Sequence, residues 1–113
     1  MNTVILSGRI VNTLEKKTSL NGNEYLKFCL AVDKRNKDKQ TVTMFVDCFA
    51  YSHSMNYLAK YCHKGQKIVI SGELDIRKVD GDDGKQTRYW SVVVNQVEAE
   101  KPTEQNNEQP FEM

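Results

Sequence analysis

No stretch of this chain is apolar enough to hold a membrane. Nowhere does a run approach the roughly 18 consecutive apolar residues of a spanning helix, and no charged-then-apolar leader opens the sequence. The protein is therefore expected in the cytoplasm. Cysteine is scarce: Cys29, Cys48 and Cys62 are odd in number and form no Cys-x-x-Cys pair, which argues against a disulfide framework or a zinc site. Free, mostly buried thiols are expected, two on strands and one on a helix. Histidine is limited to His53 and His63, which suit the two ends of a helix better than a catalytic role. No Gly-rich phosphate loop follows a strand, and no Ser/His/Asp or Cys/His set can be assembled. Asp80, Asp82 and Asp83 lack the spaced ligands and distant glutamate of a calcium loop and read as a solvated turn. No catalytic residue, metal or cofactor is expected.

A large excess of one charge is also missing, since the net charge is +1, but the distribution is uneven. From Glu98 to Met113 five acids face one base, whereas residues 1–97 hold 15 bases and 10 acids. A mildly basic body with an acidic tail is a common partition in nucleic-acid binders. The tail has two prolines, no apolar periodicity and many Glu, Gln and Asn residues, so disorder is expected over 99–113 and one folded domain over 1–98.

Period-two alternation marks five strands. The first runs from Thr3 to Asn12 around Gly8, and the second from Glu24 to Asp33 with Leu26, Phe28, Leu30 and Val32 inward. A basic connection, Lys34 to Gln40, leads to the third. Residues 53–64 form the one helix, capped by Ser52 or Ser54 and left through Gly65, with Met55, Leu58 and Cys62 on its apolar face. The fourth strand, Lys67 to Arg77, carries Ile68, Ile70, Leu74 and Ile76 inward around Gly72. A turn at Asp80–Gly84 leads to the fifth, Thr87 to Val97. Glycine inside a strand marks a bulge or a close backbone approach, as where a small barrel coils. This order is that of an all-β, five-stranded OB-fold barrel with one helix between the third and fourth strands.

The third strand, Thr41 to Tyr51, carries the most information. Its even positions, Val42, Met44, Val46, Cys48 and Ala50, are core fillers. Its odd positions, Thr43, Phe45, Asp47, Phe49 and Tyr51, mix rings with polar groups. Such a face is either a platform for stacking nucleobases or one side of a strand buried on both faces.

Five segments in order carry a resemblance: Asn2–Arg9, Phe28–Val32, Phe45–Phe49, Tyr57–Gly65 and Ile70–Leu74. Through them the chain resembles bacterial-type single-stranded DNA-binding proteins from Met1 to about Glu98. The resemblance implies a homo-tetramer that binds single-stranded DNA during replication, recombination and repair. It places stacking rings at Phe45 and Tyr51. Two further rings of the family pattern are missing, near Asn36 and Val79. Cations surround both gaps, so the expected nucleic-acid-binding set is Lys27, Lys34, Arg35, Lys37, Phe45, Phe49, Tyr51, Arg77, Lys78 and Trp90. Trp90 fits either a compensating stacking role or a core or interface anchor. The family's tail docks replication and repair enzymes through a terminal Pro-Phe. Here Pro110–Phe111 is followed by Glu112–Met113, and the short tail hints at a phage or mobile-element version. Two rivals remain. One is a primosome-type OB-fold interaction subunit, which the basic loop disfavours; the other is a small nuclease, which would need clustered acids and a metal.

Overall fold

The computed structural model describes residues 1–99. The acidic tail beyond Ala99 lies outside the described residues, and with it Pro110 and Phe111. Six strands and a helix follow one another: β1 Val4–Ile10, β2 Lys16–Thr18, β3 Glu24–Arg35, β4 Thr41–Ala50, α1 Ser52–Tyr61, β5 Lys67–Asp80 and β6 Gln86–Ala99. The sheet order is β1-β5-β6-β4-β3-β2, and a further pairing of β1 with β3 closes five of the strands into a barrel. That closure sets Arg9 against Ala31 and Ile10 against Leu30. β4 and β6 run parallel, with Asp47 beside Ser91, and the remaining pairs are antiparallel.

The core follows the period of two where the barrel is closed. Leu26, Phe28, Leu30, Cys48, Ala50, Ile68, Ile70, Val92 and Val94 are buried within it, and Met55 and Leu58 of α1 cover one end. Burial pushes the Cys48 thiol up to about 12 and the Cys62 thiol up to about 11, as expected of inert core cysteines. All three cysteines are free, and Cys29 is half-buried.

Two tight contacts let the strands coil. A Cβ added at Gly8 would run into the carbonyl of Ala31, and one at Gly72 into the carbonyl of Val93. Gly72 also sits at the register shift between β5 and β6. Only hydrogen fits there, so both glycines are requirements of closure.

The structure departs from the expectations in five places. Lys16–Thr18 is a short strand, paired with Glu24–Leu26, in the connection between the first two expected strands; three exposed residues carry no alternation to reveal it. Val42 and Met44, and likewise Leu74 and Ile76, are exposed although alternation assigned them inward. Every residue from 33 to 45 and from 73 to 90 is exposed, because both hairpins run past the barrel as two-stranded arms with no core beneath them. The cap of α1 is Tyr51, without a side-chain hydrogen bond; Ser52 begins the helix at a φ of 52°. Ser54 instead donates from Oγ to the carbonyls of Val94 and Asn95, at 3.1 and 3.2 Å, and fastens the helix to β6. The helix ends at Tyr61 rather than at residue 64, with Cys62 as its C-cap. Finally, β6 runs on to Ala99, opposite Ile68, two residues past the expected end of the last strand at Val97.

Gly65 adopts a φ of 89° and donates its N–H to Ile10 at 2.7 Å, so the left-handed exit of the helix region is tied directly to β1. Replacing Gly72 by alanine should destabilise the fold by about 1–3 kcal/mol, the usual penalty for forcing a methylene into a packed site. A urea melt checks this: an unchanged midpoint would mean that the β5–β6 contact is not the tight one described.

Candidate nucleic-acid interface

The outer face of β3 and β4 is set by ten residue pairs in uninterrupted register, from Leu26 against Ala50 to Arg35 against Thr41. With the even positions of β3 packed inward, Tyr25, Lys27, Phe49 and Tyr51 share the outer side. The Tyr25 ring lies 6.3 Å from Phe49 and 6.5 Å from Tyr51, and Lys27 Nζ stands 5.7 Å over the Phe49 ring. Such a cation–ring contact holds the ammonium on the platform without removing it from water.

Two adjoining cavities occupy this face. One, of about 440 Å³, is lined by Ser19, Asn23, Tyr25, Phe49, Tyr51 and Arg77. The other, of about 220 Å³, has Phe49 and Arg77 in common with it and adds Lys27, Asp47, Val79, Tyr89, Trp90 and Ser91. The β5–β6 arm therefore forms one wall of a continuous groove whose floor is β3 and β4. Arg77 enters it because it pairs with Tyr89 across the hairpin and leans over β4.

Of the residues singled out in the sequence, Lys27, Phe49, Tyr51, Arg77 and Trp90 meet around this groove. Phe45 lies further along β4, opposite Ala31, and is 67% exposed. By strand alternation Arg35 continues the face of Phe45, whereas Lys34, opposite Val42, takes the reverse side. Lys37 sits in the loop between them. Lys78 pairs with Arg88 and lines neither cavity. Trp90 is 59% exposed, which rules out the core-anchor alternative. The exposure of Phe45 and Tyr51 likewise decides the reading of β4 against a strand buried on both sides.

The two gaps in the ring pattern have structural explanations. Asn36 builds the β3–β4 loop, accepting on Oδ1 from the N–H groups of Asp38 and Gln40, both at 3.0 Å. Val79 lines the smaller cavity together with Tyr89 and Trp90, so two rings from β6 stand where β5 provides none. Tyr89 and Tyr25 were not among the expected site residues. Their outward parity beside Arg77 and Lys27 was the available signal. Among the described residues there is no group of three or more His, Cys, Asp or Glu placed to hold a metal, and no helix long and apolar enough to cross a membrane.

A closed five-stranded barrel with a ring-and-cation groove over β3 and β4, the second and third of its strands, defines an OB-fold protein with an open binding face. The chain belongs to the single-strand binding protein family, whose model matches residues 1–99. It is 32% identical over 102 residues to a single-stranded DNA-binding protein of Fusobacterium nucleatum, covering 87% of this chain and 66% of that one. It is 29% identical over 111 residues to one of Bacillus cereus, covering 96% and 65%. The chain thus spans just under two thirds of the length of these curated relatives. Among solved structures, a mitochondrial single-stranded DNA-binding protein of S. cerevisiae superposes with a TM-score of 0.74 at 24% identity, covering 88% of this chain and 94% of that one. A Plasmodium falciparum protein solved with single-stranded DNA gives 0.72 at 19%, also covering 88% and 94%. Both share the fold.

The exposure of Trp90, the only tryptophan of the chain, has a direct optical consequence. Acrylamide should quench its fluorescence in the native protein almost as well as in urea. Strong protection in the native state would place the ring in an interface.

Proposed function

We propose that this protein binds single-stranded DNA with broad sequence tolerance. The observation that carries this reading is the groove in which Phe49, Tyr51, Tyr25, Tyr89 and Trp90 alternate with Lys27 and Arg77. Rings offer a π-face to any base, and cations track phosphates regardless of sequence. Phe45 and Arg35 extend the path along the β3–β4 arm, with Lys37 in its loop, while Lys34 on the reverse side and Lys78 outside both cavities add only to the positive field around it. The groove binds and organises a strand without chemistry of its own, which suits protection of DNA during replication, recombination and repair in the cytoplasm. The names of the relatives support the same reading.

Assembly into a homo-tetramer belongs to this proposal. Ile5 of β1 and Val69 of β5 are 68% and 41% exposed away from the groove, apolar surface that self-association would cover. Recruitment of replication or recombination proteins through Pro110 and Phe111 is the remaining part, and it rests on the sequence pattern alone.

A fluorescence titration with oligo-dT tests the core of the proposal. Affinity should fall by roughly 0.7 log units per log unit of salt for each phosphate neutralised, and duplex DNA of equal length should bind far more weakly. Phe45→Ala or Tyr51→Ala should each cost about 1–3 kcal/mol of binding, while Arg35→Ala should reduce the salt slope for all sequences alike. Equal affinity for duplex and single strand would overturn the reading. Wild-type affinity in both ring variants would remove Phe45 and Tyr51 from the interface.

A further inference from the structure

One group on this face does not suit indiscriminate binding. Asp47 projects from the middle of β4, exposed, into the smaller cavity, among Phe49, Tyr89 and Trp90. A carboxylate there repels phosphate and stacks on nothing. At about 220 Å³ the cavity is smaller than the roughly 300–1,000 Å³ of sites for drug-sized ligands, a scale that suits one heterocycle. Lys27 and Arg77 line the same space.

We infer that this cavity is a base-reading subsite that selects guanine through Asp47, an inference that rests on the single-strand reading above. A carboxylate has acceptors only, so it favours the base edge that presents adjacent donors. On the Watson–Crick edge, exposed in a single strand, guanine alone offers two: the ring N1–H beside the 2-amino group. Adenine and cytosine set one amino group next to a ring acceptor. Thymine flanks its single N–H with two carbonyls, whose lone pairs face the carboxylate unfavourably. The two cations complete the match, since they donate to the O6 and N7 acceptors of guanine and have no donor to satisfy. The rings hold whichever base enters, and Asp47 decides which base gains from entering. General binding along the rest of the groove stays sequence-tolerant, and one position in each bound stretch prefers guanine.

The test compares oligo-dT of 15 nucleotides with the same oligomer carrying one central guanine, adenine, cytosine or hypoxanthine. The guanine oligomer should bind about tenfold tighter than the others, near the low end for a bidentate pair because the cavity is open. Hypoxanthine keeps N1–H but lacks the 2-amino group, so it should lose most of the gain in the unaltered protein. Asp47→Ala should abolish the preference while binding plain oligo-dT at least as tightly, since a negative charge leaves the phosphate path. Its thermal melt confirms the fold. Binding of all oligomers without preference for guanine overturns this inference and leaves the single-strand reading intact. A preference that persists in Asp47→Ala overturns it equally. Failure to bind any oligomer removes the single-strand reading, and this subsite with it.

Discussion

The ten-residue pairing of β3 with β4 is the constraint from which the rest of the interface follows. Side chains alternate across a strand, so a slip of one residue would carry Phe49 and Tyr51 inward and expose Cys48 and Ala50. Three things prevent the slip. Leu26, Phe28 and Leu30 must stay buried opposite Ala50, Cys48 and Val46. The Asn36 loop sets the length of the turn, and β6 docks in parallel on the other edge of β4. A packed core on one side of β4 therefore dictates which rings stand on the other. The barrel reaches the same end by a second route: because Gly8 and Gly72 allow backbone contact, β5 coils far enough for its arm to lean over β4 and bring Arg77 to the groove.

The arms also explain how a small domain displays so much unsupported surface. From residue 33 to 45 and from 73 to 90 no side chain is buried, yet both hairpins stay paired, and Thr43 donates to Asp33 across one of them at 2.8 Å. Two-stranded ribbons are only marginally stable alone. They persist here as continuations of strands already held by the core, while their outer halves remain free to meet a ligand. Rings that would be an association liability on a solitary sheet are interleaved with Lys27 and Arg77, which keep the groove wet and cationic.

The sequence made much of this legible, for identifiable reasons. Wherever a strand lies over the closed barrel, as at Leu26–Val32 or Ile68–Ile70, alternation reports burial correctly. The outward rings of β4 and the close backbone approaches at Gly8 and Gly72 were readable for the same reason. Alternation loses its meaning in the arms, where Val42, Met44, Leu74 and Ile76 have no interior to face. Lys16–Thr18 carries no apolar residue at all. The misplaced helix cap has a tertiary cause: Ser54 has acceptors on β6, a partner no local pattern reveals. Parity alone hinted at Tyr89, and the hairpin register that sets it across from Arg77 is what brings it to the groove. The exposure of Trp90 removes the core from its possible roles and leaves stacking and interface anchoring, which no pattern in the sequence separates.

The central claim is that a single strand lies along β3, β4 and the β5–β6 arm, and not against the helix. The helix carries its own ring pair, Tyr57 and Tyr61, with centroids 5.2 Å apart beside a cavity of about 520 Å³. Ultraviolet cross-linking of oligo-dT to the full chain, with the adducts located by mass spectrometry, separates the two faces directly. The account predicts adducts at Phe45, Phe49, Tyr51 and Trp90 and none at Tyr57 or Tyr61. Adducts concentrated on the two helix tyrosines would contradict it.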